Sequence, residues 1–181
     1  FSTTYPVIEN NLISNCQVGI NVAVLIRAWF GSKIPTIQNN LITNNQVGIQ
    51  YEESIQEPWA INKTIIQNNN IKQNQVGVKL GSNSLCTILH NNIEQNVNYS
   101  IQLQTSVDVN LTNNYWGTTN QQAIQQSFYD YNKDFNLGRI TFTPFSEAAY
   151  PVGATPHTYI YTDTDSYVKF FDAYTHHATH P

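Results

Sequence analysis

Three histidines near the C-terminal end of the sequence have the clearest metal-binding spacing. His176, His177 and His180 fall within a run of five residues, and His157 precedes them. Imidazole nitrogens are good ligands for Zn²⁺, Ni²⁺ and Cu²⁺. The sequence has no methionine and only two cysteines, so the soft ligands that Cu(I) prefers are scarce. These histidines are metal-ligand candidates at most, and the sequence predicts no cofactor.

The acidic residues gather at one place. Glu52, Glu53 and Glu57 lie within six residues of each other. Glycosidases need two carboxyl groups at a set separation, and carboxylates are also the ligands that Ca²⁺ prefers. Arg27 lies one repeat before this cluster, so an ion pair between neighbouring repeats is the simpler interpretation.

Large aromatic residues occur beside the same segments. Trp29, Phe30 and Trp59 are close to Arg27 and to the glutamates, and Phe30 and Trp59 occupy equivalent positions in successive repeats. A flat aromatic pair on the flank of a repeat protein could contact a sugar ring or a partner protein. The alternative is a hydrophobic lid over the first two repeats.

Three N-glycosylation sequons are candidate modification sites. They begin at Asn62, Asn98 and Asn110, and glycans could be attached there if the chain is exported. Because the sequence is rich in asparagine, such triplets also arise by chance.

The framework for all these residues is an internal repeat. Three near-copies of one phrase span residues 8–20, 37–49 and 66–78, at a constant interval. Weaker copies follow at residues 89–96 and 110–117, at a shorter interval. A fixed period of this size predicts stacked structural repeats, each too small to bury its apolar face alone.

Aligning the copies produces columns of similar residue types. The alignment predicts one asparagine column, which contains Asn11, Asn40, Asn69, Asn91 and Asn113. A second column contains Cys16, Asn45, Asn74 and Asn96. An apolar column contains Ile13, Ile42, Ile71, Ile93 and Tyr115. Stacked asparagines can bond to each other through their side-chain amides, which satisfies polar groups that are costly to bury unpaired.

Short runs within each copy alternate between apolar and polar residues, as in Ile20/Val22, Ile49/Tyr51 and Val78/Leu80. This period of two predicts half-buried strands, and the Asn and Gly residues between the runs favour tight turns. The sequence therefore predicts an all-β protein, a right-handed parallel β-helix of about five coils.

The repeat unit Ile-x-x-Asn-x-Ile-x-x-Asn-x-x-Gly-Ile resembles that of right-handed parallel β-helix proteins of the pectin-lyase-like class, and more closely the NosD-like group of surface and periplasmic β-helices. Residues 113–117, followed by Ile124, Asp130 and residues 134–145, resemble the end of many such domains. The resemblance covers about residues 7–145 and implies the fold. It implies less about activity, because related repeats occur in enzymes, adhesins and structural proteins.

The sequence divides into three predicted parts. Residues 1–117 form the coils, residues 118–145 a C-terminal cap, and residues 146–181 an extended aromatic tail. Within the cap, residues 121–128 read as a short helix after a threonine N-cap, and residues 139–144 as a final strand. Residues 158–162 and 167–171 alternate like strands and are predicted to pair with a neighbouring subunit.

Two cysteines are too far apart to bond under this arrangement. Cys16 lies in the first coil and Cys86 at the start of the fourth, about three strand spacings or roughly 14 Å apart. That distance exceeds disulfide reach, so no Cys16–Cys86 bond is expected.

Composition limits the functions that are reasonable. Charged residues make up 11% of the sequence and the net charge is -4, which gives no indication of nucleic-acid binding. No apolar run reaches membrane-spanning length. The sequence opens at Phe1 and has no visible signal peptide, which suggests a mature or trimmed chain.

The main hypothesis is an extracellular or cell-envelope structural protein, a rigid β-solenoid that self-assembles into a filament, sheath or surface layer or serves as an adhesin stalk. No column carries two acids, so an enzyme is not expected. One alternative is a carbohydrate-binding or polysaccharide-cleaving β-helix that uses the aromatic and glutamate flank. Because the NosD resemblance implies a link to copper, a second alternative is a periplasmic metal-handling accessory protein using the tail histidines.

Overall fold

In a computed structural model of the protein, the chain winds through coils that each contribute three short strands. The structure describes residues 6–26, 35–55, 64–81, 86–151 and 168–169, and the side chains of residues 24–26, 53–55 and 168–169 are outside that description. The strands of each coil are separated by short corners, where the chain changes direction.

The first four coils contain twelve strands. In chain order these are β1 (Val7–Glu9), β2 (Leu12–Ser14), β3 (Val18–Ile26), β4 (Thr36–Gln38), β5 (Leu41–Thr43), β6 (Val47–Ile55), β7 (Ile65–Gln67), β8 (Asn70–Lys72), β9 (Val76–Leu80), β10 (Thr87–Leu89), β11 (Asn92–Glu94) and β12 (Tyr99–Leu103). The later elements are β13 (Val109–Asn110), α1 (Gln121–Gln126), β14 (Phe128–Tyr129), β15 (Ile140–Thr141) and β16 (Val168–Lys169).

Equivalent strands of successive coils stack into three parallel sheets. The first sheet has the order β1-β4-β7-β10, the second β2-β5-β8-β11, and the third β14-β12-β9-β6-β3-β16. Ile37 pairs with Ile8 on one side and Ile66 on the other, and Ile66 pairs with Ile88. These pairs confirm the alignment of the first four copies and the prediction of a parallel β-helix.

The core is a set of aliphatic columns between the three sheets. Ile20, Ile49, Val78 and Ile101 are vertical neighbours, and each is 0% exposed. They are buried because side chains alternate between the two faces of a strand, so every second residue points inward. The polar residues between them point away from this core, which explains the period of two in the sequence.

A continuous ladder of asparagine side chains runs along the corner between the first and second sheets. Nδ2 of Asn40 donates to Oδ1 of Asn69 at 3.0 Å, and the same contact joins Asn11 to Asn40 and Asn69 to Asn91 at 3.0 Å. Each Oδ1 also accepts the backbone N–H of the asparagine one coil earlier, as from Asn40 N to Asn69 at 3.0 Å. Nδ2 of Asn40 also donates to the carbonyls of Ile8 and Gln38.

The ladder continues to Asn114, and the prediction that Asn113 occupies this position is wrong by one residue. Nδ2 of Asn91 donates to Oδ1 of Asn114 at 3.1 Å. Asn113 instead has a φ of 60°. It takes the left-handed corner position that precedes the ladder residue, a conformation that asparagine tolerates better than most residues.

One extra residue in the fourth coil causes this shift. Asn74 and Asn96 are joined at the second corner with an offset of 22 residues. Just beyond that corner, Val76 pairs with Tyr99, so the sequence offset between the third and fourth coils is one residue longer there. The backbone N–H groups of Asn98 and Tyr99 both donate to the Gln75 carbonyl, at 2.9 and 3.4 Å, so the inserted residue is at Asn98, which is exposed.

After this one-residue bulge, each residue is offset by one position from the column that the sequence alignment predicted for it. Tyr115 pairs with Asn92 rather than Ile93. The prediction that Tyr115 continues the apolar column is therefore wrong, and the buried Trp116 follows it in the core instead.

The second corner carries the other amide ladder. Asn45 bonds to Asn74 at 3.0 Å, and Asn74 bonds to Asn96 at 3.2 Å. Cys16 stands at the head of this column, where its backbone N–H donates to Oδ1 of Asn45 at 2.9 Å. The thiol cannot replace an amide, and its Sγ donates to the Ser14 carbonyl at 3.4 Å.

Glycine in the repeat is required by the close approach of the next coil. A Cβ atom at Gly48 would lie 2.6 Å from the Gly77 carbonyl oxygen and 3.0 Å from Nδ2 of Asn74. Real Cβ atoms essentially never lie so close to a backbone oxygen. Gly19 and Gly77 have equivalent surroundings, so the glycine column and the second ladder depend on each other.

Among the described residues, four coils contribute three strands each, and the fifth contributes only part of a coil. After β12, the strand β13 pairs with β15 rather than with β10. The predicted count of five is therefore slightly too high. The chain then forms α1, whose N-cap is Asn120, with a side chain that accepts from Ala123 N at 3.1 Å, and not a threonine. Phe128 lies in β14, paired with Ile101, rather than in the predicted helix.

The tail contributes one described strand. In β16, Val168 pairs with Ile20 and Lys169 with Asn21, both in parallel. Val168 and Lys169, the two described residues of the predicted inter-subunit strand at 167–171, therefore pair with the first coil of their own chain. The other predicted tail strand, residues 158–162, lies outside the described residues.

Replacing Asn69 by alanine tests the ladder. We expect Asn69→Ala to lower the free energy of unfolding by about 3 kcal/mol, because the Asn40 backbone N–H and side-chain amide lose their buried acceptor. Urea denaturation followed by circular dichroism measures this. The exposed Gln46 is the control, and Gln46→Ala should change stability by less than about 0.5 kcal/mol. Similar effects for the two variants would show that the ladder does not stabilise the coils.

Candidate functional site

Most residues that the sequence suggested for ligand contact lie outside the described part of the chain. This holds for Trp29, Phe30, Trp59, Glu57, Asn62, His157, His176, His177 and His180, and for the side chain of Glu53. The proposed aromatic flank and the histidine cluster therefore remain predictions.

Glu52 is the one member of the glutamate cluster whose side chain is described. It is exposed, and its Oε1 accepts from Nε2 of Gln50 at 3.2 Å. Its register partner in the first coil is Ala23. Elsewhere, Glu9 bonds to Gln38 at 2.7 Å, and Glu94 pairs with Lys72. In the described coils, a glutamate thus has a neutral or basic neighbour in the adjacent coil.

Two of the sequon asparagines are described. Asn98 and Asn110 are both exposed, so a glycan could be accommodated at either. Oδ1 of Asn110 accepts from Thr112 N at 3.0 Å, which forms a local turn and leaves the Asn110 Nδ2 without a partner in that turn.

The aspartates of the cap have structural roles. Asp130 is 2% exposed and accepts from Asn132 through both its backbone and side-chain nitrogens. Asp134 makes the same two contacts with Asn136. Both are turns closed by an aspartate side chain, so each carboxylate is already engaged by its own turn.

A cleft lies between the fourth and fifth coils in the part of the chain that is described. It opens where β10 and β13 fail to pair, and its volume is about 380 Å³. At one end of the cleft, His90 N donates to the Asn113 carbonyl at 2.7 Å and joins the two coils. The polar residues that line it are Cys86, Thr87, Asp108, Asn110, Thr112 and Asn113.

The cleft offers binding groups but no catalytic pair. Asp108 is the only carboxylate among its described lining residues, and Oδ1 of this residue already accepts from Arg139 N at 2.7 Å. General acid–base chemistry on a glycoside needs two carboxyl groups, and the described lining of the cleft supplies one. Sequence reasoning missed it because the cleft lies where β13 pairs with β15 and not with β10.

A shallow polar groove runs along the second corner. Its lining consists of Cys16 and carboxamide residues, namely Asn15, Gln17, Asn44, Asn45, Gln46, Gln73 and Gln75. Carboxamides both donate and accept hydrogen bonds. A hydroxyl-rich ligand would match such a surface better than an ion would.

The two cysteines differ in environment. Both are thiols, and Cys16 is 6% exposed. Burial raises the pKa of the Cys16 thiol above its ordinary value of 9.0, because the thiolate would lose its hydration. Cys86 is half-buried and lines the cleft.

The described coils do not by themselves fit a metal centre. Among residues 6–26, 35–55, 64–81, 86–151 and 168–169, no three His, Cys, Asp or Glu side chains lie close enough to hold an ion together. The histidine in this part, His90, packs against the ring of Tyr150 with centroids 5.1 Å apart. Within the same ranges, no helix is long and apolar enough to cross a membrane.

One family model matches residues 4–136, which is well over half of the chain. Its description is "Periplasmic copper-binding protein (NosD)". The match confirms the resemblance to the NosD-like group that the repeat predicted. Comparisons with curated proteins and with solved structures gave no match.

Thiol labelling separates the environments of the two cysteines. At pH 8 we expect Cys86 to react with a maleimide on the order of tenfold faster than Cys16, because only the thiolate reacts and burial disfavours it at Cys16. Mass spectrometry of the Cys16→Ser and Cys86→Ser variants gives each rate. Equal rates for the two variants would contradict the burial of Cys16, and denatured protein provides the reference in which both thiols react alike.

Proposed function

The chain belongs to the NosD family, and from this premise we propose that it is a cell-envelope accessory protein that handles copper ions. The family model describes a periplasmic copper-binding protein. This supports the metal-handling alternative, and a location in the cell envelope, more than it supports the other functions that the sequence suggested.

The candidate ligands are the tail histidines His176, His177 and His180. Three imidazoles within five residues provide nitrogen donors that suit Cu(II). The sequence has no methionine, and the Cys16 thiol is buried. Copper in its oxidised state is therefore the expected cargo.

In this proposal the β-helix is the rigid part of the protein and the tail is the binding part. The amide ladders fix every coil to its neighbours, so the coils have little freedom to close around an ion. The strand β16 ends at Lys169, only seven residues before His176. Its pairing with β3 supports a binding segment that stays near the first coil.

The proposal contains no catalytic role. Several of the described acids have a local partner, as at Glu9, Asp108 and Asp130. A self-assembling structural role and a carbohydrate-binding role, the latter centred on Trp29 and Trp59, stay hypotheses, because the family description supports neither.

Copper titration of the full chain tests the proposal. We expect one tight Cu(II) site. Isothermal titration calorimetry measures its affinity, and nitrogen hyperfine structure in the electron paramagnetic resonance spectrum shows whether imidazoles coordinate the ion. In the triple variant His176→Ala, His177→Ala, His180→Ala the affinity should fall at least about 100-fold, since a ligand set has been removed.

The matched control is His90→Ala, which removes an exposed imidazole from the coils. This variant should bind copper as the unaltered chain does. Retention of tight binding in the triple variant, or its loss in His90→Ala, would show that the tail histidines are not the ligands. Absence of tight binding in the unaltered chain would refute the metal-handling function itself.

A further inference from the structure

The third strand of the first coil has no charged residue or proline to protect its outer edge. β3 is nine residues long with the sequence VGINVAVLI, which contains no charged residue and no proline. Proteins normally blunt exposed strand edges with lysine, proline or a covering segment, because an open edge pairs with other chains. In this chain the covering segment is β16, which pairs with the outer side of β3.

In the first coil, the inward-facing residues of β3 are more buried than those of β1 and β2. Ile20 and Val22 of β3 are 0% exposed, as in the inner coils. Ile8 of β1 is 9% exposed, and Ile13 of β2 is only partly buried. The part of the first coil that lies next to β16 is thus sealed more completely than the rest.

The other two strand edges of the first coil have no neighbour on their outer side among the described residues. The first sheet begins at β1 and the second at β2. Of the residues in these two strands, Glu9 is the only charged one, and Val7 is 52% exposed. Among the described residues, the outer edges of β1, β2 and β3 therefore form an almost uncharged and partly apolar rim, which β16 covers only along β3.

We propose that β16 is a built-in cap that prevents the first coil from pairing with a second copy of this chain. The partner that the uncapped end accepts is the same end of another copy. A two-fold axis places identical edges opposite each other, and it makes the facing strands antiparallel, which is a favourable hydrogen-bonding arrangement. The low charge of the rim leaves little repulsion against this contact. The proposal is independent of metal binding.

Two prolines in β16 test the cap in the full chain. The double variant Val168→Pro, Lys169→Pro removes the backbone N–H donors of both residues. The hydrogen bond from β16 to β3 is therefore lost, regardless of which N–H points toward β3. By light scattering after size exclusion, we expect the unaltered chain to have its monomer mass of 20.6 kDa and the variant to form a dimer of twice that mass. The matched control places two prolines further along the tail, as Ala173→Pro with Thr175→Pro, and should stay monomeric.

A charge on the rim distinguishes edge pairing from nonspecific aggregation. Adding Ala23→Lys, in β3, to the double-proline variant should restore the monomer, because each dimer would then bring two lysines together at the paired edges. The circular dichroism spectrum and the urea midpoint of each variant serve as the folding controls.

Three results would overturn the proposal. One is a monomeric double-proline variant at all concentrations. Another is assembly into open-ended polymers, which indicates head-to-tail contacts instead. The third concerns the variant Asn21→Cys, Lys169→Cys of the otherwise unaltered chain. The proposal is wrong if the disulfide between these two cysteines forms between molecules and not within one molecule.

Discussion

The stacked carboxamides of Asn40, Asn69, Asn91 and Asn114 are the constraint on which the rest of the molecule depends. Each inner amide bonds to the coils on both sides of it, so one coil cannot move without breaking contacts in two others. This fixes the vertical register, which then places the aliphatic columns over each other. The glycines follow from the same register, because the next coil approaches too closely for any side chain.

The ends of such a stack present different problems from its middle. Inner coils satisfy their strand edges on both neighbours, whereas the end coils have one unpaired side. This chain closes the third sheet at one end with β14 and at the other with β16, both from beyond the coils. The cleft beside Cys86 forms where closure is incomplete, because β13 pairs with β15 and leaves β10 as an edge.

In the proposed function, the coils serve as the scaffold and the tail histidines as the copper ligands. Within the described coils and cap, many polar side chains bond to each other or to the backbone, as Asp130 and Asn132 do. Such groups stabilise the fold and are poorly placed to hold a cargo. The chain belongs to the NosD family, and the proposed copper ligands come from the tail.

The sequence by itself determined the repeat, the stacked parallel strands and most residues of both ladders, because the first three copies repeat the same local turn chemistry at a constant interval. Only the tertiary structure decided the positions after Val97. The repeat pattern of the sequence does not reveal a bulged residue, because either Asn113 or Asn114 satisfies the motif. Which of the two joins the ladder depends on which side-chain amide reaches Asn91. The pairing of β16 with β3 likewise joins opposite ends of the chain, and no local pattern encodes such a distant contact.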